Sequence, residues 1–310
     1  MRTKTDKANV GAAVIGLGRG KAHIESLLRS QGAELLAVCD KNEAALEQFK
    51  EKYGVDGYTN LDDMLLRDDI DLVHVCTPSG LHTEMLLKIA AAGKHAITEK
   101  PLDITLERID QAIEAFSSRG LQLGCIFQNR LTPAVREMKK AIDNKRLGKL
   151  VLANAHVKWY RSQEYYDQNG GWRITQVAAH TIETEDLGVA LLKFASGALG
   201  TIVATTAAYP GFGTTLEVMG SDGGIVLKDN KIAGWKIRGE QMAEEEQTML
   251  AADFSTKDTT FIQIQDMVDA VRNNRTPLIS GREGRDAVEI VLAIYESART
   301  GKEVVLPMQR

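Results

Sequence analysis

Two glycines stand where a nucleotide-binding protein would need them. Gly16 and Gly18 follow the apolar run 10–15 and precede a helical pattern, so a strand turns into a helix here. Glycine lets the backbone approach a pyrophosphate, and the helix N-terminus supplies free N–H donors. The third glycine of the usual fingerprint would fall at Lys21, and a purely structural turn is the alternative. The predicted cofactor-binding residues of this turn are Gly16, Leu17, Gly18, Arg19 and Gly20.

Asp40 ends the second apolar run, where an acid typically binds the ribose hydroxyls of a dinucleotide. Beside this carboxylate, a 2′-phosphate would meet a repulsion of about 4 kcal/mol per unit charge at ~4 Å and an effective dielectric of ~20. Lys41 would offset part of that repulsion. The pattern therefore favours NAD, with NADP as the alternative cofactor. A simpler interpretation is that Asp40 only caps the following helix.

Apolar runs and amphipathic helices alternate over the first 125 residues. Continuous apolar strands separated by helices are typical of a parallel sheet covered on both faces, and ligands bind at the carboxyl ends of its strands. The later strand patterns are short and joined by tight turns, which indicates an open and mostly antiparallel sheet. We therefore predict an α/β protein with a doubly wound Rossmann domain over 1–125 and an α+β domain over 126–310.

Composition excludes several classes of protein. The 310 residues carry 38 basic and 42 acidic side chains without a basic block, which argues against nucleic acid as a partner. No apolar run is long enough to span a membrane, and residues 1–9 lack the apolar stretch of a signal peptide. Cys39, Cys76 and Cys125 show no metal-ligand spacing, so we expect no metal site. Buried, reduced thiols and a cytoplasmic location are expected.

Further motifs resemble the Gfo/Idh/MocA oxidoreductases, a family named for glucose–fructose oxidoreductase and inositol dehydrogenase. The likeness covers nearly the whole chain, and the Glu-Lys-Pro turn after a strand is its most specific element. The motifs are Thr77-Pro78, Glu99-Lys100-Pro101, Asn129-Arg130, Gly170-Gly171-Trp172-Arg173, the run 185–190 and the run 293–298.

The resemblance implies site residues. It makes Lys100 the catalytic group that faces both the nicotinamide and the substrate hydroxyl, in a loop fixed by Glu99 and a cis peptide before Pro101. A partly desolvated lysine would have a lowered pKa, which suits proton transfer. By the same resemblance, further cofactor-binding residues are Thr77, Pro78, His82, Glu99, Asn129, Trp172 and Arg173. His82 has a structural role as its alternative. His23 and His74 are interpreted as packing and core residues.

The family pattern breaks after Arg173. Its members continue with a glycine-rich turn and a helix carrying His-x-x-Asp, and this segment is absent between Arg173 and Val177. His180-x-x-Glu183 has the same spacing, which makes His180 a second catalytic candidate, but its context resembles a later hairpin of the family. The sequence leaves open whether the segment is omitted from the chain as given, was deleted, or is naturally absent.

These observations predict an NAD(P)-dependent oxidoreductase acting on a secondary alcohol of a sugar, sugar nucleotide or cyclic polyol. The alternative is a catalytically impaired or non-enzymatic dinucleotide-binding protein, a sensor or an assembly partner. An open sheet needs a cover, so a homodimer or homotetramer through the C-terminal sheet is also expected.

Overall fold

The computed structural model describes residues 9–167, 185–241, 244, 248 and 258–308, and the backbone of 176–177, 180–181 and 256–257. The chain divides into two compact units, one formed by Met1–Gln128 with Ser255–Arg310 and the other by Asn129–Phe254. This grouping differs from the predicted boundaries, because the residues after 255 belong with the first unit.

The first unit is built on a six-stranded sheet in the order β3-β2-β1-β4-β5-β6, and every strand pair in it is parallel. The order reverses between β1 and β4, which confirms the doubly wound Rossmann fold. Its strands are β1 Val10–Ile15, β2 Ala33–Cys39, β3 Asp56–Tyr58, β4 Leu72–Val75, β5 His95–Thr98 and β6 Leu123–Cys125. Its helices are α1 Leu17–Leu27, α2 Glu43–Tyr53, α3 Leu61–Leu65, α4 His82–Ala91, α5 Leu106–Ser117, α8 Thr256–Arg272 and α9 Gly281–Thr300.

Helices cover both faces of this sheet. On one face, Ile24 of α1 and Met267 of α8 share a buried cluster with Val14 of β1. On the other, Leu86 of α4 and Phe116 of α5 pack over the same strands. The strands are buried on both sides, which explains why their sequences are continuously apolar. Helix α8 joins this unit because its apolar stripe completes the core beside α1.

The second unit has a six-stranded sheet in the order β10-β11-β7-β12-β13-β14 and a two-stranded sheet of β8 and β9. In the larger sheet only the pair of β7 and β11 is parallel, which confirms the mostly antiparallel prediction. Its strands are β7 Leu150–Lys158, β8 Gln176–Val177, β9 His180–Thr181, β10 Leu187–Lys193, β11 Leu199–Thr205, β12 Gly213–Gly220, β13 Gly223–Lys228 and β14 Lys231–Ile237. Its helices are α6 Pro133–Asp143 and α7 Gln163–Asp167.

Helix α6 covers part of the larger sheet. Ala134 and Met138 lie in one buried cluster with Val218 of β12 and Ile225 of β13. Over the part of the chain that the structure describes, no helix combines the length and apolar character that a membrane crossing requires.

Candidate cofactor and active site

The turn between β1 and α1 has the shape that a phosphate cradle requires. Gly16 has φ +88°, and a Cβ there would lie 2.6 Å from the carbonyl carbon of Cys76, so only glycine fits. Gly18 is exposed, and a Cβ there would meet no atom within 4 Å, which leaves its backbone open to a ligand. A Cβ on Gly20 would lie 2.8 Å from Cγ1 of Val14. Gly20 therefore allows the close packing of helix on strand that the fingerprint assigns to its third glycine.

Asp40 lies at the carboxyl end of β2 and is oriented by two backbone donors. Leu17 donates its N–H to Oδ2 over 2.7 Å, and Asn42 donates its N–H to Oδ1 over 2.9 Å. The side chain that caps α2 belongs to Asn42, which accepts from the N–H of Ala45, so the capping role is already filled. Each carboxylate oxygen keeps a free lone pair for a ribose hydroxyl. Lys41 is exposed beside it.

Thr77, Pro78 and His82 follow β4, next to the point where the strand order reverses. The Oγ1 of Thr77 is buried and has no hydrogen-bond partner in the described chain. Pro78 precedes a short 3-10 helix, Ser79–Leu81. The ring nitrogens of His82 lie 2.8 Å from the carbonyl oxygens of Thr77 and Pro101. His82 thus ties the two loops together, which is the structural role that the sequence left as its alternative.

Lys100 is the second residue after the end of β5. The preceding residue fixes the loop, because Glu99 donates its N–H to the carbonyl of Val75 over 2.9 Å. The peptide bond between Lys100 and Pro101 is cis, which confirms that prediction. The Lys100 side chain is exposed, and no described residue is its hydrogen-bond partner. The loop by itself therefore does not desolvate the Lys100 side chain as expected, and Nζ of Lys100 is accessible to a ligand.

The Glu99 carboxylate is buried beside the Lys100 loop and carries its charge there. Arg19 donates from Nε to Oε1 over 2.6 Å, and Nε2 of His23 lies 3.3 Å from the same oxygen. Burial would raise the pKa of Glu99, but the hydrogen bonds and charges of His23 and Arg19 outweigh it and lower the pKa to about 2. Glu99 is therefore ionised throughout the physiological range.

The pH dependence of the unfolding free energy at acidic pH should reflect the charge on the Glu99 carboxylate. The pKa of Glu99 is about 2 in the folded protein against its usual 4.5, which corresponds to about 3 kcal/mol of unfolding free energy. Because the folded pKa is depressed, this stability is present above pH ~4.5 and is lost as the pH falls towards ~2. We expect the unfolding free energies of wild type and Glu99→Gln to differ near neutrality and to converge in this window. Urea titrations at a series of pH values measure the difference, and a pH-independent gap would contradict the assignment.

The remaining predicted site residues lie in or beside the second unit. Asn129 belongs to a short 3-10 helix, Gln128–Leu131, at the start of that unit. Trp172 and Arg173 lie outside the described residues. For His180 the structure describes the backbone, which lies in β9. Of the predicted set, the structure brings the glycine turn, Asp40, the Thr77 loop and the Lys100 loop together at the carboxyl edge of one parallel sheet.

The thiols agree with the expected reduced state. All three cysteines are free and buried. Burial, together with the charges of Asp40 and Asp63, raises the pKa of Cys39 to about 12, and burial also raises the pKa of Cys76. Cys39 and Cys76 are therefore protonated packing groups.

This edge of the sheet fits a dinucleotide. The Gly16 turn excludes a side chain, the N–H groups of Gly18 and Arg19 in the first turn of α1 have no preceding turn to accept them, and Asp40 is held with free lone pairs. The buried Thr77 hydroxyl without a partner supplies a further polar group that a ligand would satisfy. The fold and the site define the first unit as a dinucleotide-binding Rossmann unit.

The comparison with known families gives the identification. Residues 10–127 match the Gfo/Idh/MocA oxidoreductase family in its NAD-binding Rossmann fold, and residues 173–306 match its C-terminal alpha/beta domain. The chain therefore belongs to this family of NAD-binding oxidoreductases, as the resemblance predicted.

Similar proteins extend over the whole chain. A scyllo-inositol 2-dehydrogenase (NAD(+)) from Bacillus subtilis is 26% identical, with 97% of each chain covered. The WlbA dehydrogenase from Bordetella pertussis, in complex with NADH and UDP-GlcNAcA, has a TM-score of 0.89 at 28% identity and covers 97% of this chain and 99% of its own. The WlbA dehydrogenase from Chromobacterium violaceum, also in complex with NADH and UDP-GlcNAcA, has a TM-score of 0.87 at 30% identity over 98% of each chain. The alignment with the B. subtilis protein spans 339 residues, more than the 310 of this chain.

Proposed function

We propose that the protein is an NAD-dependent dehydrogenase of a secondary alcohol. The observation that carries this proposal is the position of Lys100: it follows β5, is accessible to a ligand, and lies at the same sheet edge as the dinucleotide turn. When bound there, the nicotinamide supplies the hydride chemistry. The chain supplies the cofactor site, the orientation of the reacting alcohol and a group that carries its proton.

Lys100 carries the proton in this proposal. In the oxidation direction a bound nicotinamide would accept the hydride from the carbinol carbon, and the Lys100 amine, in its neutral form, takes up the hydroxyl proton as the C=O bond forms. In the reduction direction the ammonium returns that proton to the carbonyl oxygen. Because the side chain is exposed in the described chain, it can exchange the proton with solvent between turnovers.

The substrate class follows from what the relatives share. One relative is named for an inositol and two are seen with a UDP-linked sugar acid. Both compounds present secondary alcohols on a six-membered ring. We infer that this chain acts on such a ring, as a sugar, a sugar nucleotide or a cyclic polyol.

Four further residues complete the proposed site. Asn129, Trp172 and Arg173 are proposed to contact the cofactor, and His180 is proposed as the second group that assists proton transfer at the hydroxyl. These assignments rest on the family motifs. A cytoplasmic location is proposed as well, since the three buried cysteines are free.

Two measurements on the same protein distinguish this enzyme from a non-enzymatic dinucleotide-binding protein. NADH fluorescence reports cofactor binding, and NADH formation is followed with scyllo-inositol, myo-inositol, simple pyranoses and UDP-GlcNAcA. We expect binding and turnover on one of these rings. Binding without turnover on the whole set would contradict the enzyme and favour the sensor or assembly protein.

We also propose that the larger sheet of the second unit is covered by a second copy of the chain. Its edge strand β10 presents three apolar side chains on one face: Leu187, Val189 and Leu191 are 53%, 62% and 86% exposed. An exposed apolar edge of this kind is an association surface unless it is covered.

Leu191→Glu tests this interface. A carboxylate buried against a partner sheet would be desolvated without a counter-charge, so the variant is expected to be a monomer while the wild type is a dimer or tetramer. Light scattering after size exclusion measures both masses. Leu66→Glu, at a leucine of the first unit that is 81% exposed, serves as the control for added charge. A monomeric wild type would contradict the interface.

A further inference from the structure

Four titratable side chains meet below the Lys100 loop. Arg19 and His23 come from α1, His74 from β4, and Glu99 follows β5. His23 and His74 are fully buried, and Glu99 is 6% exposed. His74 and Glu99 lie 51 and 76 positions from His23 in the sequence, yet their side chains form one cluster with it inside the first unit.

The Glu99 carboxylate connects two parts of the site through its two oxygens. Oε1 accepts from Arg19, in the first turn of α1, and Oε2 accepts the backbone N–H of Lys100 over 3.2 Å. Arg19 at the start of α1 and the backbone of Lys100 are thus hydrogen-bonded to the same rigid carboxylate. A displacement of the start of α1 is therefore expected to move the Lys100 backbone. Charge-assisted bonds of this kind are stronger than neutral ones.

The two histidines hold this carboxylate in its orientation. Their Nδ1 atoms lie 3.0 Å apart, so one of them donates and the other accepts. Burial lowers the pKa of His74, with a smaller contribution from His23, and His74 is neutral. Since a carboxylate only accepts, Nε2 of His23 donates to Glu99. The ring of His23 is thereby fixed between His74 and Glu99.

Arg19 keeps donors for a ligand. Glu99 occupies its Nε, and the guanidinium has four further N–H groups. The Arg19 side chain is 47% exposed and lies in the turn that is shaped for a phosphate. An anionic cofactor held at that turn would share the guanidinium with Glu99.

We propose that Glu99 is a positioning residue that couples dinucleotide binding at the Gly16–Gly20 turn to the orientation of Lys100. The coupling runs from the cofactor phosphates through Arg19 and Glu99 to the Lys100 backbone. It rests on the proposed function for its catalytic meaning, but its physical content is the link between cofactor occupancy and the Lys100 side chain. That link is measured without turnover.

The first test is a double-mutant cycle on cofactor affinity. Arg19→Gln, Glu99→Gln and the double variant are compared by NADH fluorescence titration. Both single substitutions weaken the Arg19–Glu99 contact, and Arg19→Gln also removes the guanidinium that faces the cofactor, so the NADH Kd is expected to rise about 10-fold in Arg19→Gln and less in Glu99→Gln. The double variant is expected to be no weaker than the weaker single variant, because the two changes share one interaction. Arg285→Gln breaks a similar pair with Asp110, 2.7 Å, between α9 and α5, and should leave the Kd unchanged.

The second test reads the orientation of Lys100. An amine-specific reagent is applied with and without saturating NAD, and modification of Lys100 is measured by peptide mass spectrometry, with Lys88 as the internal reference. NAD is expected to protect Lys100 severalfold in the wild type and less in Arg19→Gln and Glu99→Gln. Arg19→Gln keeps the carboxylate in place and guards against a folding failure of Glu99→Gln.

Clear outcomes overturn the proposal. Additive effects on the Kd would show that Arg19 and Glu99 act independently. Equal protection of Lys100 by saturating NAD in wild type and both variants would show that the cofactor only shields the lysine. A lower melting temperature with unchanged Kd and protection would make the cluster structural. If none of the ring compounds is turned over, the proposed function is contradicted. The NADH Kd and the protection of Lys100 would still test the coupling by themselves.

Discussion

Replacing Lys100 by alanine is expected to lower kcat by about 10²- to 10⁴-fold, the range that a positioned acid–base group contributes. The NADH Kd should stay within a few-fold, because the glycine turn and Asp40 hold the cofactor elsewhere in the unit. Lys100→Arg keeps the positive charge but cannot release a proton in water, so it should be nearly as impaired as alanine. Steady-state kinetics and NADH fluorescence give both quantities.

The control for Lys100 is another lysine of the same unit, one whose side chain is 39% exposed. Lys88 lies on α4, where its Nζ donates to Asp62 over 2.8 Å. Lys88→Ala should keep wild-type kcat. If Lys100→Ala retains most of its turnover, Lys100 is not the proton-carrying group. If Lys100→Arg alone is active, Lys100 acts through its charge rather than by proton transfer.

Asp40→Asn is expected to change the choice of cofactor. The amide oxygen can still accept the Leu17 N–H, now 2.7 Å from Oδ2, so the contact with the glycine turn should persist, whereas the amide nitrogen cannot accept the Asn42 N–H. The neutral side chain binds the ribose hydroxyls less strongly, and the NADH Kd should rise about 10-fold. Asp40→Asn also removes the repulsion of a 2′-phosphate. The NADPH Kd divided by the NADH Kd should therefore fall by about 100-fold.

Glu51→Gln is the matched control for this change, because it removes a negative charge from an exposed position of α2. Fluorescence titration with both dinucleotides gives the ratio for each variant. An unchanged ratio in Asp40→Asn would mean that Asp40 does not face the ribose. An equal change in Glu51→Gln would mean that net charge, rather than the site, sets the preference.

Much of the fold could be predicted from local sequence. β5 and β6 are short apolar runs bounded by turns, and burial on both faces makes such strands conspicuous. The sequence does not predict β3 and β14. β3 has only three residues with Gly57 at its centre, and β14 carries two lysines and Gly234 within seven residues. Neither has the apolar content from which a strand is predicted.

The membership of the closing helices could not be predicted. Their amphipathic pattern shows that each buries one face, but a pattern does not say against which sheet. In the structure, Ile264 and Val268 of α8 fill the core beside α1, far away in sequence. Proximity along the chain placed α8 in the second domain, whereas packing places it in the first unit.

The candidate site was predictable where chemistry is concentrated in short motifs. The glycine turn, Asp40 and the Glu-Lys-Pro loop all lie at strand ends, where a parallel sheet gathers ligands. The contacts of His23 with His74 and with Glu99 cannot be predicted from any one of these residues alone, because they join three separate elements. A signal was present: Arg19 and His23 are four residues apart on α1, hence on one helix face, and both meet the same carboxylate.

Transfer of a deuterium label tests the central claim most directly. The ring alcohol identified by the substrate set is supplied with deuterium on its carbinol carbon, and the nicotinamide recovered after turnover is examined by mass spectrometry. Direct transfer predicts that the reduced nicotinamide carries the deuterium, and that Lys100→Ala yields almost no labelled product. Reduced nicotinamide without the label, or label released into water, would contradict the proposed dehydrogenase.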